Sequence, residues 1–328
     1  MFGYAVYGLA ISSDVTLRNL KPIESTEDLQ RHPRVRLRLK PSKYRRVQAT
    51  DWFLEYATPA GKPFLRQAKV AGGYLLSFPD LADFLVSKNG SQVTCCWPYA
   101  HRSFDTICHL AVDQVLPCVA NLVGLLALHA TAVVTPHGVC GFVGSAGTGK
   151  STLAASFALA GYPTYCDDCL VVVEGGDEIL AQPGYPGVRL WEDSARSILG
   201  DRAADHPTIG HYSSKRGIER FAETAEASLQ PAPLIAIYIL TRDISGTAAE
   251  RGQTPTIDEL PASGIFVQLL RSTYRLDITD SAMLSREFRA LHTLVDRVPV
   301  RRLGVPNDFD ALPAVRETVI ADLARIRN

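Results

Sequence analysis

The sequence predicts an α/β domain preceded by a β-rich one, and three observations carry that expectation. The texture of the chain changes after Asp113, from short β-branched and aromatic runs to strands alternating with helical patterns. Residues 234–240 (LIAIYIL) form a continuous apolar run, as expected of a strand covered on both faces. Between these, a glycine-rich turn joins the apolar run CGFV to the helix-forming run STLAASFALA.

The β-rich region, residues 1–113, is drawn from the runs YAVYGLAI, YRRVQATDWFLEYA, GGYLLSF and SQVTCCW, with a turn over residues 58–62. No cluster of His, Asp, Glu or Ser there suggests catalysis, so it reads as a recognition or scaffolding domain. Residues 114–300 follow as the α/β domain. A helical run over 114–128 leads to strands over 131–134 and 139–143, turned by Pro136-His137-Gly138. A helix over 150–160 comes next, then a short strand ending at Asp167-Asp168 and a hairpin (170–173 and 178–181) around Gly175-Gly176. Helical patterns at 281–297 and 310–327 close the chain. The last of these, within residues 301–328, is expected as a tail packing on the domain or on another subunit of a homo-oligomer.

Composition excludes several classes. With 46% apolar and 21% charged residues the chain is not mainly disordered. Lys+Arg and Asp+Glu are both 34, so no global basic excess points to nucleic acid or an anionic membrane, and any phosphate chemistry must be local. Residues 114–136 carry no formal charge beyond His129 and are long enough to span a bilayer, yet they contain Pro117 and Asn121 and turn β-branched after Ala130. A buried helix entering a buried strand is the expectation. The opening residues lack a basic segment and a continuous apolar core, and the seven cysteines are odd in number and scattered. Free thiols and a cytoplasmic location follow as expectations. Cys166-Asp167-Asp168-Cys169 matches C-x-x-C without a second pair to complete a zinc site.

The chemistry rests on Gly144-Ser145-Ala146-Gly147-Thr148-Gly149-Lys150-Ser151, which fits G-x-x-x-x-G-K-[ST] without mismatch between a strand and a helix. Glycines let successive N–H groups point inward at polyphosphate oxygens, and the helix N-terminus adds partial positive charge there. Lys150 is expected to reach the β- and γ-phosphates of ATP, with Thr152 continuing the nucleotide-binding stretch and the Ser151 hydroxyl placed to coordinate Mg²⁺. Sixteen residues beyond Ser151 stand Asp167 and Asp168, at a strand end that faces the same crevice. Two carboxylates there can divide the labour of phosphoryl transfer, one holding metal and one taking a proton.

His129, fifteen residues before Gly144, the loop, and the segment from Gly161 to Asp168 together resemble the catalytic domain of the HPr kinase/phosphorylase family. The spacing agrees over residues 128–174, and a looser likeness to HPr-kinase-related proteins, some associated with peptide natural products such as lasso peptides, runs to about residue 275. The resemblance implies an ATP- and Mg²⁺-dependent kinase of a serine hydroxyl on a protein or peptide. It implies Asp167 as the base, His129 beside the transferred phosphate and Asp168 near the metal. Thr152 stands where the bifunctional enzymes have an acid, and residues 182–189 (QPGYPGVR) replace their glycine-rich signature, so phosphorylase activity is not expected. Two alternatives stand beside this: a nucleotide-dependent regulatory protein, and a kinase of a small-molecule hydroxyl. Lys215 and Arg216, in the polar stretch HYSSKRG, could fold over phosphates as a lid or form a solvated basic turn.

Overall fold

The computed structural model describes the chain except residues 18–19, 21, 24–31, 40–48, 50, 58–60, 97–103, 186, 207, 209–214, 219–229, 243–253 and 328. Parts of two expected features, the run over 44–57 and the turn over 58–62, lie outside the described residues, as does the HYSS half of the polar stretch. The chain folds as two compact units, Met1–Ala127 with Tyr274–Glu287, and Leu128–Thr273 with Phe288–Asn328. The units interleave along the chain: it crosses from one to the other after Ala127, after Thr273 and again after Glu287.

The first unit is built on a sheet of β1 (Phe2–Val6), β2 (Leu9–Ser13), β3 (Arg34–Arg38), β4 (Trp52–Ala57), β5 (Pro63–Val70), β6 (Gly73–Phe78), β7 (Ala82–Ser87) and β8 (Gln92–Cys96). Their order is β1-β2-β3-β8-β7-β6-β5-β4. YAVYGLAI is a hairpin rather than one strand, because Tyr7 and Gly8 take φ values of 58° and 67° and reverse the chain. Strand β3 alternates cleanly, with Val35 and Leu37 buried and Arg34, Arg36 and Arg38 exposed. Helix α1 (Phe104–Leu110), a π-helical turn (Ala111–Val115) and α2 (Leu116–Leu122) follow in this unit. The helical run expected over 114–128 therefore starts earlier and ends earlier, and β9 (Leu126–Leu128) takes its last residues. An apolar run cannot by itself separate buried helix from buried strand.

In the second unit come β10 (Ala130–Thr135), β11 (Gly138–Val143), α3 (Lys150–Leu159), β12 (Thr164–Cys166), β13 (Leu170–Gly175), β14 (Glu178–Gln182), β15 (Val188–Leu190), α4 (Glu192–Leu199), β16 (Arg216–Ile218), β17 (Ala232–Arg242), β18 (Thr256–Glu259) and α5 (Ala262–Arg271). Helix α6 (Ser281–Arg297) brings the chain back into this unit, and β19 (Val300–Val305) and α7 (Leu312–Arg327) complete it. Strand β17, the run LIAIYIL, pairs in parallel with β11 on one side and β19 on the other, and Ala236, Ile237 and Tyr238 are fully buried. Phe142, Phe157 and Tyr238 share one cluster with Leu312, Val315, Val319 and Leu323 of α7. Residues 301–328 are thus not a tail: β19 is a sheet strand and α7 a core helix. Among the described residues no helix is long and apolar enough to cross a membrane. The molecule is a β-rich unit and an α/β unit, and the α/β unit carries the glycine-rich loop at the carboxyl end of β11.

Candidate active site

The loop is shaped by its backbone. Gly147 and Gly149 take φ values of 81° and 99°, a region that side-chain-bearing residues rarely enter, and the turn they form leaves Ser145, Ala146 and Gly147 exposed at the rim. The Thr148 amide and hydroxyl both donate to the Ser145 carbonyl, at 3.2 and 2.9 Å. Lys150 Nζ donates to the Gly144 carbonyl at 2.7 Å and the Ser145 carbonyl at 3.4 Å, so the ammonium lies inside the curl of the loop. Burial lowers the Lys150 pKa, against the opposing pull of Asp168 and Asp167.

Beneath the loop lies Asp167, whose side chain is sealed from solvent. Its Oδ1 accepts the hydroxyls of Ser151 at 2.9 Å and Thr131 at 2.7 Å, and its Oδ2 accepts the Arg189 amide at 2.9 Å. Burial, then the neighbouring Asp168 charge, pushes its carboxyl up. Asp168 is different. It sits in the left-handed region at φ 64°, which short acidic residues tolerate better than most. Its Oδ2 is 3.1 Å from Arg189 Nη1. Burial would raise its carboxyl, but Lys215, Arg189, His129 and Lys150 together outweigh burial and hold it well below the usual carboxylate range. His129 Nδ1 lies 3.0 Å from the Asp168 carbonyl, which can only accept, so the ring proton belongs on Nδ1. Burial lowers the His129 pKa, as do Lys150 and Lys215, against Asp168.

The structure gathers Lys150, Ser151, Asp167, Asp168 and His129 around the loop, with the two acids in different surroundings. Asp167, implied as the base, has three donors on its oxygens and no exposed surface on which to receive a proton from an arriving hydroxyl. The carboxylate facing the basic groups is Asp168.

Sequence reading misses three contributors. Thr131 supplies one hydroxyl to Asp167. Arg189, 5% exposed, holds both acids, by its amide and its guanidinium, while that guanidinium stacks 4.5 Å from the Tyr185 ring centroid. The Tyr185 carbonyl in turn accepts the Asp167 amide at 3.1 Å. Gly187 permits this, since a Cβ there would stand 2.5 Å from Cε1 of Tyr185. A lone arginine in the apolar strand Val188-Arg189-Leu190 is the only sequence signal for this group. Of the basic pair, Lys215 stands at the site, with Nζ 5.3 Å from the centroid of the half-exposed Trp191 ring. Arg216 instead pairs with Glu192 and donates to the His206 carbonyl, tying β16 to the start of α4.

Cys166 and Cys169 are fully buried, and burial pushes the Cys166 thiol well up. Among the described residues no cluster of three or more His, Cys, Asp and Glu side chains gathers as a metal cage. What the site offers instead is the Ser151 oxygen, whose proton is directed to Asp167, beside carboxylate oxygens. These are hard donors of the kind that suit Mg²⁺, which takes one or two protein oxygens and fills its shell from phosphates and water.

No family model matches the chain. Over 111 residues it is 30% identical to the dephospho-CoA kinase of Rhodopseudomonas palustris, a match covering 31% of this chain and 56% of that enzyme. The chain thus spans about half the length of the curated relative it matches. Among solved structures, the HPr(Ser) kinase/phosphatase from Coxiella burnetii aligns over 60% of this chain and 97% of that one, at 12% identity and a TM-score of 0.30.

Proposed function

We propose that the protein is an ATP- and Mg²⁺-dependent kinase that transfers the γ-phosphoryl group to a serine hydroxyl of a protein or peptide, without phosphorylase activity. The observation that carries this reading is the link from Ser151 in the loop to Asp167 at 2.9 Å, next to a second acid surrounded by Lys150, Arg189, Lys215 and His129. In phosphate-loop enzymes the loop hydroxyl and a strand-end aspartate hold Mg²⁺, which when bound would neutralise charge developing on the phosphates. Ser151 and Asp167 fit that pair. Lys150 and the loop amides hold the phosphate oxygens, and Arg189 and Lys215 add charge where it develops in the transition state. Asp168 accepts the proton of the acceptor hydroxyl as its oxygen bonds to the γ-phosphorus and the bond to the bridging oxygen breaks, releasing ADP. A base of low pKa suffices because little proton transfer is needed in a loose transition state. His129 stays neutral and positions the Asp168 backbone.

The spacing shared with HPr kinases from His129 to Asp168 favours a serine acceptor. A second reading, a kinase of a small-molecule hydroxyl, is favoured by the stretch of identity with a dephospho-CoA kinase. The test is ADP release with ATP and Mg²⁺ in the presence of serine-containing peptides or of dephospho-CoA, with products identified by mass spectrometry. Phosphoserine is the expected product, lost in Lys150→Ala. Phosphorylated coenzyme would select the second reading, and turnover surviving in Lys150→Ala would overturn both.

A further inference from the structure

The first unit has a surface that phosphoryl transfer does not use. In β3 the side chains alternate across the sheet, so Arg34, Arg36 and Arg38 stand in a row on the solvent face while Val35 and Leu37 fill the core. Strand β3 lies between β2 and β8, so this row runs down the body of the sheet rather than its edge. Its cross-strand neighbours on the same face are small or uncharged: Ala10 and Ser12 on β2, Gln92 and Thr94 on β8. Asp14, beyond the end of β2, accepts the Leu39 amide at 2.8 Å. Among the described residues none of the three guanidinium groups pairs with a carboxylate. Three like charges in consecutive outward positions repel one another, and folding alone gives no reason to keep them unpaired. A trough of about 610 Å³ is lined by Arg34 and Arg36 of the row and, across β2, by the exposed Met1 and Phe2 at the start of the chain.

We propose that this trough binds an extended acidic peptide segment of a partner protein. In β3 alternate residues recur about every 7 Å, and an extended peptide presents alternate side chains at the same spacing. Asp or Glu at every second position would therefore meet successive arginines in bidentate pairs, and an apolar residue next to them, reaching across β2, would cover Phe2. Single-stranded nucleic acid could match the charge, but surfaces that hold it supply successive aromatic rings for stacking the bases, and among the described residues lining the trough Phe2 is the one aromatic. The inference concerns the first unit and does not depend on the kinase reading.

Fluorescence anisotropy with the full-length protein tests it, using a labelled peptide with glutamate at alternate positions and a terminal leucine. Binding is expected at low salt and should weaken toward physiological salt. The variant Arg34→Ser/Arg36→Ser/Arg38→Ser should bind about tenfold more weakly or worse. Its melting temperature and circular dichroism serve as the check that the sheet is intact, and Arg66→Ser, on β5, should bind like wild type. A peptide of equal composition with its glutamates consecutive should bind less well. The proposal is overturned by equal affinity in the triple variant, by no preference for the alternating peptide, or by tighter binding of an oligothymidine or of phosphatidylserine vesicles.

Discussion

Replacing each acid of the pair by its amide should separate metal binding from proton transfer. In Asp167→Asn the side chain fits the same space. Its Oδ1 can turn to the Arg189 amide, leaving Nδ2 to donate to the hydroxyls of Thr131 and Ser151, which now lie 2.7 and 2.9 Å from Oδ1. Three charge-assisted bonds become neutral ones, a loss of about 1 kcal/mol each, offset by relief of a buried charge beside Asp168. The melting temperature should therefore stay within about 5 °C of wild type. The Ser151 oxygen, however, now accepts from Nδ2 and sends its proton toward the metal position. Mg²⁺-dependent ATP affinity should fall about 10- to 100-fold, the usual cost of losing a partner that orients a metal ligand. Asp168→Asn leaves the Ser151–Asp167 link untouched, so ATP affinity with Mg²⁺ should persist while the transfer rate falls about 10²- to 10⁴-fold. Calorimetric titration of ATP with and without Mg²⁺, beside single-turnover ADP formation, reads both quantities. The exchanged assignment is refuted if Asp167→Asn binds ATP and Mg²⁺ normally but cannot transfer, or if Asp168→Asn transfers at the wild-type rate.

Two further outcomes follow from the same geometry. His129 is held neutral by burial, so its folded-state pKa lies below 6.5 and the unfolded chain binds the extra proton first. Stability contributed above pH 6.5 should be lost as the pH falls toward the lower value, and the melting temperature of wild type should drop relative to His129→Gln over that window. A ring titration by NMR with its midpoint at or above 6.5 would contradict this. Gly187→Ala would set a methyl group 2.5 Å from Tyr185 Cε1 and displace the ring under Arg189. A destabilisation of about 1–3 kcal/mol is expected, with slower transfer, measured by thermal denaturation and ADP release. An unchanged melting temperature would mean that the ring is free to move.

What could be read from the sequence depended on how local each feature is. The loop is contiguous, and its glycines have one well-known reason to recur at that spacing, so strand, turn and helix were all legible. LIAIYIL was legible because a strand covered on both faces has no polar side to hide. The Asp pair could be located, and the resemblance implied Asp167 as the base, but that Asp167 is the sealed acid follows from its long-range contacts with Thr131 and Arg189, which composition does not announce. Arg189 and Thr131 come from separate strands and look ordinary where they stand, while Lys215 was noticed only as one of two readings of a basic pair. Residues 301–328 resembled a tail because their strand, VRRLGV, carries two arginines. Its place beside β17 comes from long-range pairing that periodicity cannot express.

The interleaving of the two units bears on how the protein can be taken apart. Removing residues 1–110 is the obvious way to ask what the β-rich part contributes, yet it would strand residues 111–127 and 274–287, which belong to the same unit. Val115, Leu116, Val119 and Leu276, now fully buried, would be turned out into water, and the product would test the fate of orphaned apolar surface rather than the loss of recognition. A clean graft needs junctions at all three crossings, and the last of them, between Glu287 and Phe288, falls inside a helix. Modules here are defined in space and not along the chain. Point changes on a surface, such as the arginine row, are therefore the sharper instrument for dissecting this protein.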